Sequence, residues 1–176
     1  GAKTVTVFLD PPEVEVSGEN AADFALGMLL RAYTFDIFKT KAGKNAKSGE
    51  RDDADEKEPE SVRVTIVTAA AEAAKVAFAE RQAIAGGVLL ARDLVNLPPN
   101  VLGPVEFAEK AKALEAVGAK VEILTEKELT DIGMGALLGV AQGSARPARV
   151  AVIRWDGGTT GEAPLAFIGK GVVFDT

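Results

Sequence analysis

The 176-residue sequence contains no cysteine and no histidine. The absence of cysteine excludes disulfides, thiol nucleophiles and thiolate metal sites. The absence of histidine excludes histidine-based triads, histidine general bases and ordinary histidine-ligated zinc. Any chemistry on this chain must therefore use carboxylates, lysine, arginine, hydroxyl groups or the backbone. A chain without cysteine also fits a reducing compartment.

Long apolar runs and an excess of positive charge are missing as well. The longest apolar stretches are rich in alanine and interrupted by charge, and none approaches the roughly 20 residues that cross a bilayer. The first residues show no basic-then-apolar signal region. Acidic residues number 26 against 20 basic ones, a net charge of -6. The sequence therefore offers no general case for binding nucleic acid or an anionic membrane.

Charge is distributed unevenly around residue 50. Residues 39–49 contain four lysines and no acid, whereas residues 50–60 contain seven acids and two basic residues. A segment of this kind has almost no apolar side chain to pack, which predicts a mobile surface loop over about 40–60. Its acids lack the spacing and the turn glycine of a calcium-binding loop.

Strand-like and helix-like patterns alternate along the chain, which predicts an α/β fold. Strands are predicted over residues 4–9, 62–67, 120–124, 148–155 and 165–168. Helices are predicted over residues 21–39, capped by Asn20, over about 71–95 and over 105–117. The first helix is apolar on nearly all sides near its end and should be well buried, and the strand over 165–168 should be buried too.

The long helix over about 71–95 is the best candidate for a link between two domains. Pro98 and Pro99 bar its continuation. Gly86 and Gly87 lie inside it and should pack against another backbone, since nothing else recovers their cost to the helix. Further along, the spacing of Thr125 and Glu128 predicts a capping box.

Three glycine-containing segments could carry chemistry. Residues 133–139 superficially resemble a dinucleotide fingerprint but follow a helix-like stretch instead of a strand, which favours a plain helix start. Residues 143–147 form a loop whose serine has no base partner. Residues 169–171 are not a phosphate-binding loop, because neither serine nor threonine follows the lysine.

The third segment places Lys170 and Asp175 just past the end of a predicted strand, where α/β folds place function. Glycine and apolar neighbours flank both charged groups, so both should be partly desolvated. A desolvated lysine beside a carboxylate is either a structural ion pair or a functional site, and the residues alone leave both interpretations open.

Residues 169–176 resemble the start of the metal-site signature of the leucyl aminopeptidase (cytosol aminopeptidase, M17) family. Residues 91–100 are similar to that family's end of the inter-domain helix, and residues 134–144 to the segment before its first catalytic-domain strand. Residues 29–36 resemble part of its N-terminal domain. The resemblance covers most of the chain.

The resemblance implies a two-domain α/β metallopeptidase. Residues 1–70 would be the C-terminal part of the N-terminal α/β domain, residues 71–96 the inter-domain helix, and residues 97–176 the start of the catalytic domain. Two divalent metal ions, manganese or zinc, would activate the water that cleaves the first peptide bond. Lys170 matches a ligand of one metal, and Asp175 matches a ligand between the two.

The same resemblance implies leucine-type release of N-terminal amino acids from peptides with a free N-terminus, by a cytoplasmic homo-hexamer that binds neither membrane nor nucleic acid. The family's catalytic lysine and arginine are expected after Thr176, so no catalytic residue is predicted within this chain. The remainder of the same protein would complete the site, and this chain alone should be inactive. The alternative is a non-catalytic α/β binding or scaffold domain.

Overall fold

The structure is a computed structural model that describes residues 3–39 and 62–173. Its elements follow in the order β1 (Thr4–Phe8), α1 (Gly18–Ala32), β2 (Arg63–Val67), α2 (Ala71–Asn96), α3 (Pro104–Lys112), a 3-10 helix (Ala113–Val117), β3 (Lys120–Leu124), α4 (Glu126–Asp131), α5 (Gly135–Ala141) and β4 (Val150–Arg154). This alternation confirms the predicted α/β class. The loop predicted over 40–60 lies outside the described residues.

The chain divides into two compact units, Gly1–Asp93 and Leu94–Thr176. In the first unit, β1 and β2 form a parallel pair that runs from Thr4 opposite Arg63 to Phe8 opposite Val67. Parallel strands need a crossover connection, and α1 lies in that connection. The domain boundaries at residues 70 and 96 stay a prediction.

Helix α1 begins and ends earlier than its sequence pattern predicts. Ser17 caps it instead of Asn20, whose backbone N–H donates a hydrogen bond to the Ser17 hydroxyl oxygen at 3.1 Å. The helix ends before Tyr33, which has an extended backbone and whose hydroxyl donates to the Asp93 carboxylate at 2.8 Å. Residues 34–39, which the pattern assigned to the helix, therefore lie outside it.

The expected burial of large apolar side chains on α1 is wrong. The buried residues are Gly18, Ala21 and Ala22, whereas Phe24 remains 42% exposed. A β-carbon built at Gly18 would lie 2.6 Å from the β-carbon of Ala73 on α2. The two helices approach so closely at this point that only small residues fit between them.

Helix α2 is continuous over Ala71–Asn96 and ends before Pro98 and Pro99, as predicted. The packing predicted for its glycine pair is wrong. Gly86 and Gly87 are exposed, and a β-carbon built at either would meet no atom within 4 Å. They lie on a part of the helix surface that contacts nothing in the described chain.

The helices of residues 3–39 and 62–173 include no candidate for a membrane-spanning segment.

The second unit contains the antiparallel pair of β3 and β4, with Lys120 opposite Arg154. The helix predicted over 105–117 consists of α3 followed by the 3-10 helix, which ends at Gly118 in the left-handed conformation with φ of 96°. The capping box predicted from Thr125 and Glu128 begins α4. The buried core of this unit comprises Leu102, Ala108, Val121, Leu129 and Ala148.

The strand predicted over 165–168 is not formed. Leu165, Phe167 and Ile168 are 89%, 94% and 99% exposed, and no strand is assigned to the segment. A buried strand needs hydrogen-bonded neighbours and a covering layer. In the described part of the second unit, β3 and β4 pair only with each other and leave this segment without either.

Candidate metal-binding segment

Residues 155–173 follow β4 without forming a helix or strand, and they contain Lys170. Lys170 is exposed, so the predicted partial desolvation is wrong for the described chain. No described carboxylate lies within ion-pair distance of its amine. Asp175 lies outside the described residues. Of the two predicted ligands, the structure therefore places Lys170 alone.

A tight turn follows Lys170. The backbone N–H of Val172 donates to the Lys170 carbonyl at 3.1 Å, which closes a three-residue turn centred on Gly171. A β-carbon built at Gly171 would lie 2.7 Å from Cε1 and 3.1 Å from Cδ1 of Phe107. The backbone of the turn therefore lies directly against the Phe107 ring. A β-carbon at Gly169, by contrast, would meet nothing within 4 Å.

Phe107 belongs to the first turns of α3, and an arginine holds the start of that helix. Arg146 Nη1 and Nη2 donate to the two carboxylate oxygens of Glu106 at 3.2 and 3.3 Å. Arg146 Nη1 also donates to the Pro99 carbonyl at 3.1 Å. Arg146 therefore ties the loop before β4 to the turn that precedes α3, in a planar two-point geometry that lysine cannot reproduce.

Glu106 serves the helix start in a second way, because its carboxylate accepts a hydrogen bond from the Gly103 N–H at 3.0 Å. The pKa of Glu106 is lowered, first by a hydrogen bond from its own backbone N–H, then by the Gly103 bond and the Arg146 charge, while burial opposes these effects. A β-carbon at Gly103 would collide with the Arg146 guanidinium. Charge and close contact both fix this helix terminus.

Sequence reasoning placed the proline start of α3 but missed Phe107, Glu106 and Arg146. A helical pattern does not predict that the aromatic residue Phe107 on α3 contacts Gly171, which lies 64 positions further along the chain. Glu106 and Arg146 are separated by 40 positions, and no local signal joins them.

The other glycine segments have plain structural roles. Helix α5 begins at Gly135 after α4 and not after a strand, so residues 133–139 do not form a dinucleotide fingerprint. In the loop before β4, the Ser144 hydroxyl accepts a hydrogen bond from the Arg146 backbone N–H at 3.0 Å. This bond is a local turn contact and shows no base beside the hydroxyl.

The described residues contain no cluster of three or more aspartate, glutamate, histidine or cysteine side chains that could hold a metal ion. Lys170 itself fits the role of one ligand, because its amine is exposed, has no described carboxylate partner and stands between two glycines. Lysine coordinates a metal through a neutral amine.

Comparisons with known proteins match this segment to a peptidase family. The profile described as the cytosol aminopeptidase family, catalytic domain, matches residues 89–176. A probable cytosol aminopeptidase of Agrobacterium fabrum is 63% identical over 175 residues, and one of Rhizobium etli is 62% identical over 172 residues. These alignments cover 99% and 98% of this chain and 33% of each relative.

A solved structure is also similar. The bottromycin maturation enzyme BotP in complex with Mn superposes with a TM-score of 0.66 at 26% sequence identity, covering 88% of this chain and 30% of that chain. The fold and the matched segment thus define a part of a peptidase-like α/β protein.

The chain belongs to the cytosol aminopeptidase family. It spans about a third of the length of the curated relatives that it matches.

Proposed function

We propose that the complete protein is a metal-dependent aminopeptidase that releases N-terminal amino acids, leucine among them, from peptides with a free N-terminus. Membership of the cytosol aminopeptidase family supports the activity. The observation that carries the proposal to a site is Lys170, which is exposed, lies between two glycines and pairs with no described carboxylate, inside the segment that matches the family's catalytic domain.

Two divalent ions, manganese or zinc, are the proposed cofactors, and the similar structure solved with Mn supports this class of metal. Such ions polarise a peptide carbonyl and lower the pKa of water when bound. In this proposal the Lys170 amine would hold one ion, and Asp175 would be a ligand shared by both.

The remainder of the protein is the proposed partner of residues 165–168. Three large apolar side chains in this segment are almost fully exposed, at 89% to 99%. Exposed apolar segments of this kind mark surfaces that another part of a protein covers. The chain spans about a third of the length of its relatives, and in this proposal the rest of the protein supplies the neighbouring strands. A cytoplasmic homo-hexamer is the proposed state of the complete protein.

Metal stoichiometry and leucyl-peptide hydrolysis in the complete protein test the ligand assignment. Lys170→Arg keeps a cation that cannot coordinate a metal. It should therefore weaken the binding of one of the two metal ions and lower turnover by more than about tenfold. Asp175→Asn removes a negative charge that both metal ions would share, so it should weaken the binding of both ions. The 176-residue chain alone should show no activity.

Lys127→Arg is the matched control, because Lys127 is 84% exposed on α4 and pairs with Asp131. This control should keep two metal equivalents and full activity. If the folded Lys170→Arg variant also keeps two metal equivalents and full activity, Lys170 is not a ligand. A complete protein that binds no divalent metal and cleaves no peptide would instead favour a non-catalytic scaffold.

A further inference from the structure

We propose that Tyr33, Arg92 and Asp93 form a clamp that holds the last part of α2 against the end of α1, and that α2 opens at Gly86 and Gly87, the glycine pair, when this clamp is released. All of these residues belong to the first unit, and the inference does not depend on the proposed metal site. The residues that follow the clamp complete α2 and belong to the second unit. The clamp therefore stands where the helix leaves the first unit.

The clamp consists of two hydrogen bonds and a cation–π contact. The Tyr33 hydroxyl donates a hydrogen bond to Oδ1 of Asp93 at 2.8 Å. Arg92 Nη1 donates to the Leu30 carbonyl oxygen at 2.6 Å, and the guanidinium carbon lies 5.6 Å from the centre of the Tyr33 ring. Leu30 lies in the last turn of α1, where carbonyl groups lack a partner inside the helix and a cation is favourable. Arg92 thus stabilises the end of α1 and ties it to α2.

Helices α1 and α2 contact each other at points that follow the same order along both. Gly18 at the start of α1 lies against Ala73 near the start of α2. Arg81 then pairs with Asp23 at 2.9 Å, and the clamp follows at the ends of the two helices. The glycine pair lies midway in sequence between Arg81 and Arg92. It therefore separates the clamp from the earlier contacts.

The glycine pair is a weak part of α2. Each glycine makes the interior of a helix about fivefold less favourable than alanine would. A β-carbon built at either glycine meets no described atom within 4 Å, so no close packing in the described chain offsets this cost. Ala85, directly before the pair, is the one buried residue among the described residues of α2, whereas Val95 near its end is 84% exposed. The part of α2 after the pair therefore depends strongly on the clamp.

Hydrogen–deuterium exchange of the complete protein, read by mass spectrometry, tests the inference. The measured quantity is the exchange rate of the amides of residues 88–96, compared with residues 74–85 of the same helix. Tyr33→Phe removes one hydrogen bond and keeps the ring. Arg92→Ala removes the arginine contacts without a cost in helix propensity. Arg81→Ala is the matched control, because Arg81 also joins α2 to α1 but lies before the glycine pair.

Tyr33→Phe should speed the exchange of residues 88–96 by about fivefold, and Arg92→Ala by about tenfold, since each removes contacts that hold this part of the helix. Exchange of residues 74–85 should change by less than about twofold. In Arg81→Ala, residues 88–96 should exchange as in the parent. Replacing both residues of the glycine pair by alanine in the Arg92→Ala background should slow the exchange again, because alanine strengthens the helix by about fivefold at each position.

Parent-like exchange of residues 88–96 in both folded clamp variants would overturn the inference, because other contacts would then hold this part of α2. An even increase over residues 74–96 would also overturn it, since the clamp would then support the whole helix. If alanine at the glycine pair fails to slow the exchange of Arg92→Ala, the helix does not open at the glycines, and the proposed role of the pair is wrong.

Discussion

The start of α1 and the middle of α2 both contain glycine, and the two places have opposite surroundings. Gly18 lies against α2, with a built β-carbon 2.7 Å from the backbone carbonyl carbon of Ala73. Gly86 and Gly87 are exposed, and a β-carbon built at either meets no described atom within 4 Å. Two adjacent glycines inside a helix had nevertheless predicted close packing. The comparison shows that a glycine's sequence neighbours do not reveal whether a second backbone approaches it.

The packed glycine should give the largest effect on stability. Gly18→Ala places a β-carbon against the backbone of Ala73 and Ala74, at 2.7 and 2.8 Å, and backbone cannot move aside as a side-chain end can. We expect the free energy of unfolding to fall by about 1–3 kcal/mol. Chemical denaturation followed by circular dichroism measures the change. Unaltered stability would show that α1 and α2 do not approach this closely.

The bare glycines should respond in the opposite direction. Gly86→Ala and Gly87→Ala each remove a helix-interior glycine from open space, so each should raise the free energy of unfolding by about 1 kcal/mol. The same denaturation measurement checks both variants, with Gly18→Ala beside them as the contrasting case. A loss of stability in the complete protein would mean that another segment covers this surface of α2.

A charged contact holds the same pair of helices and should matter least. Arg81 on α2 binds Glu19 and, at 2.9 Å, Asp23 on α1, and the pKa of Arg81 is raised, chiefly by its hydrogen bond to Asp23. Both carboxylates are more than half exposed, so solvent screens these pairs. Arg81→Lys should lower stability by less than Gly18→Ala does.

Salt separates the two kinds of contact between α1 and α2. About 1 M salt should shrink the difference between Arg81→Lys and the parent, because it screens exposed charges, and should leave the Gly18→Ala penalty in place. Denaturation curves at low and high salt measure both differences. A salt-sensitive Gly18→Ala penalty would assign that region to charge instead of packing.

Local patterns predicted the elements of this chain well where a few consecutive residues are enough to determine the structure. Alternating side chains placed β3 at Lys120–Leu124, and the capping box placed the start of α4. The prolines at 98 and 99 placed the end of α2. Each of these features depends on a few consecutive residues, whose backbone and side-chain hydrogen bonds close within one or two turns.

The failures share a different cause. Residues 34–39 continue an apolar helix pattern, yet α1 ends before Tyr33. The Tyr33 hydroxyl donates a hydrogen bond to Asp93, 60 positions away. Residues 165–168 read as a buried strand, yet in the described chain no neighbouring strand pairs with them. Periodicity reports which residues can be buried, and it says nothing about which partner is present.

The absence of cysteine and histidine chemistry, the α/β alternation, the long helix α2 and the motif that contains Lys170 follow from the amino-acid sequence, because each is a property of composition or of near neighbours. Three other features become visible only in the folded chain: Gly18 is packed while Gly86 is exposed, Arg146 holds the start of α3, and the Phe107 ring lies against Gly171. Contacts between residues tens of positions apart depend on how elements pack, and packing follows from shape and volume, which no local pattern encodes.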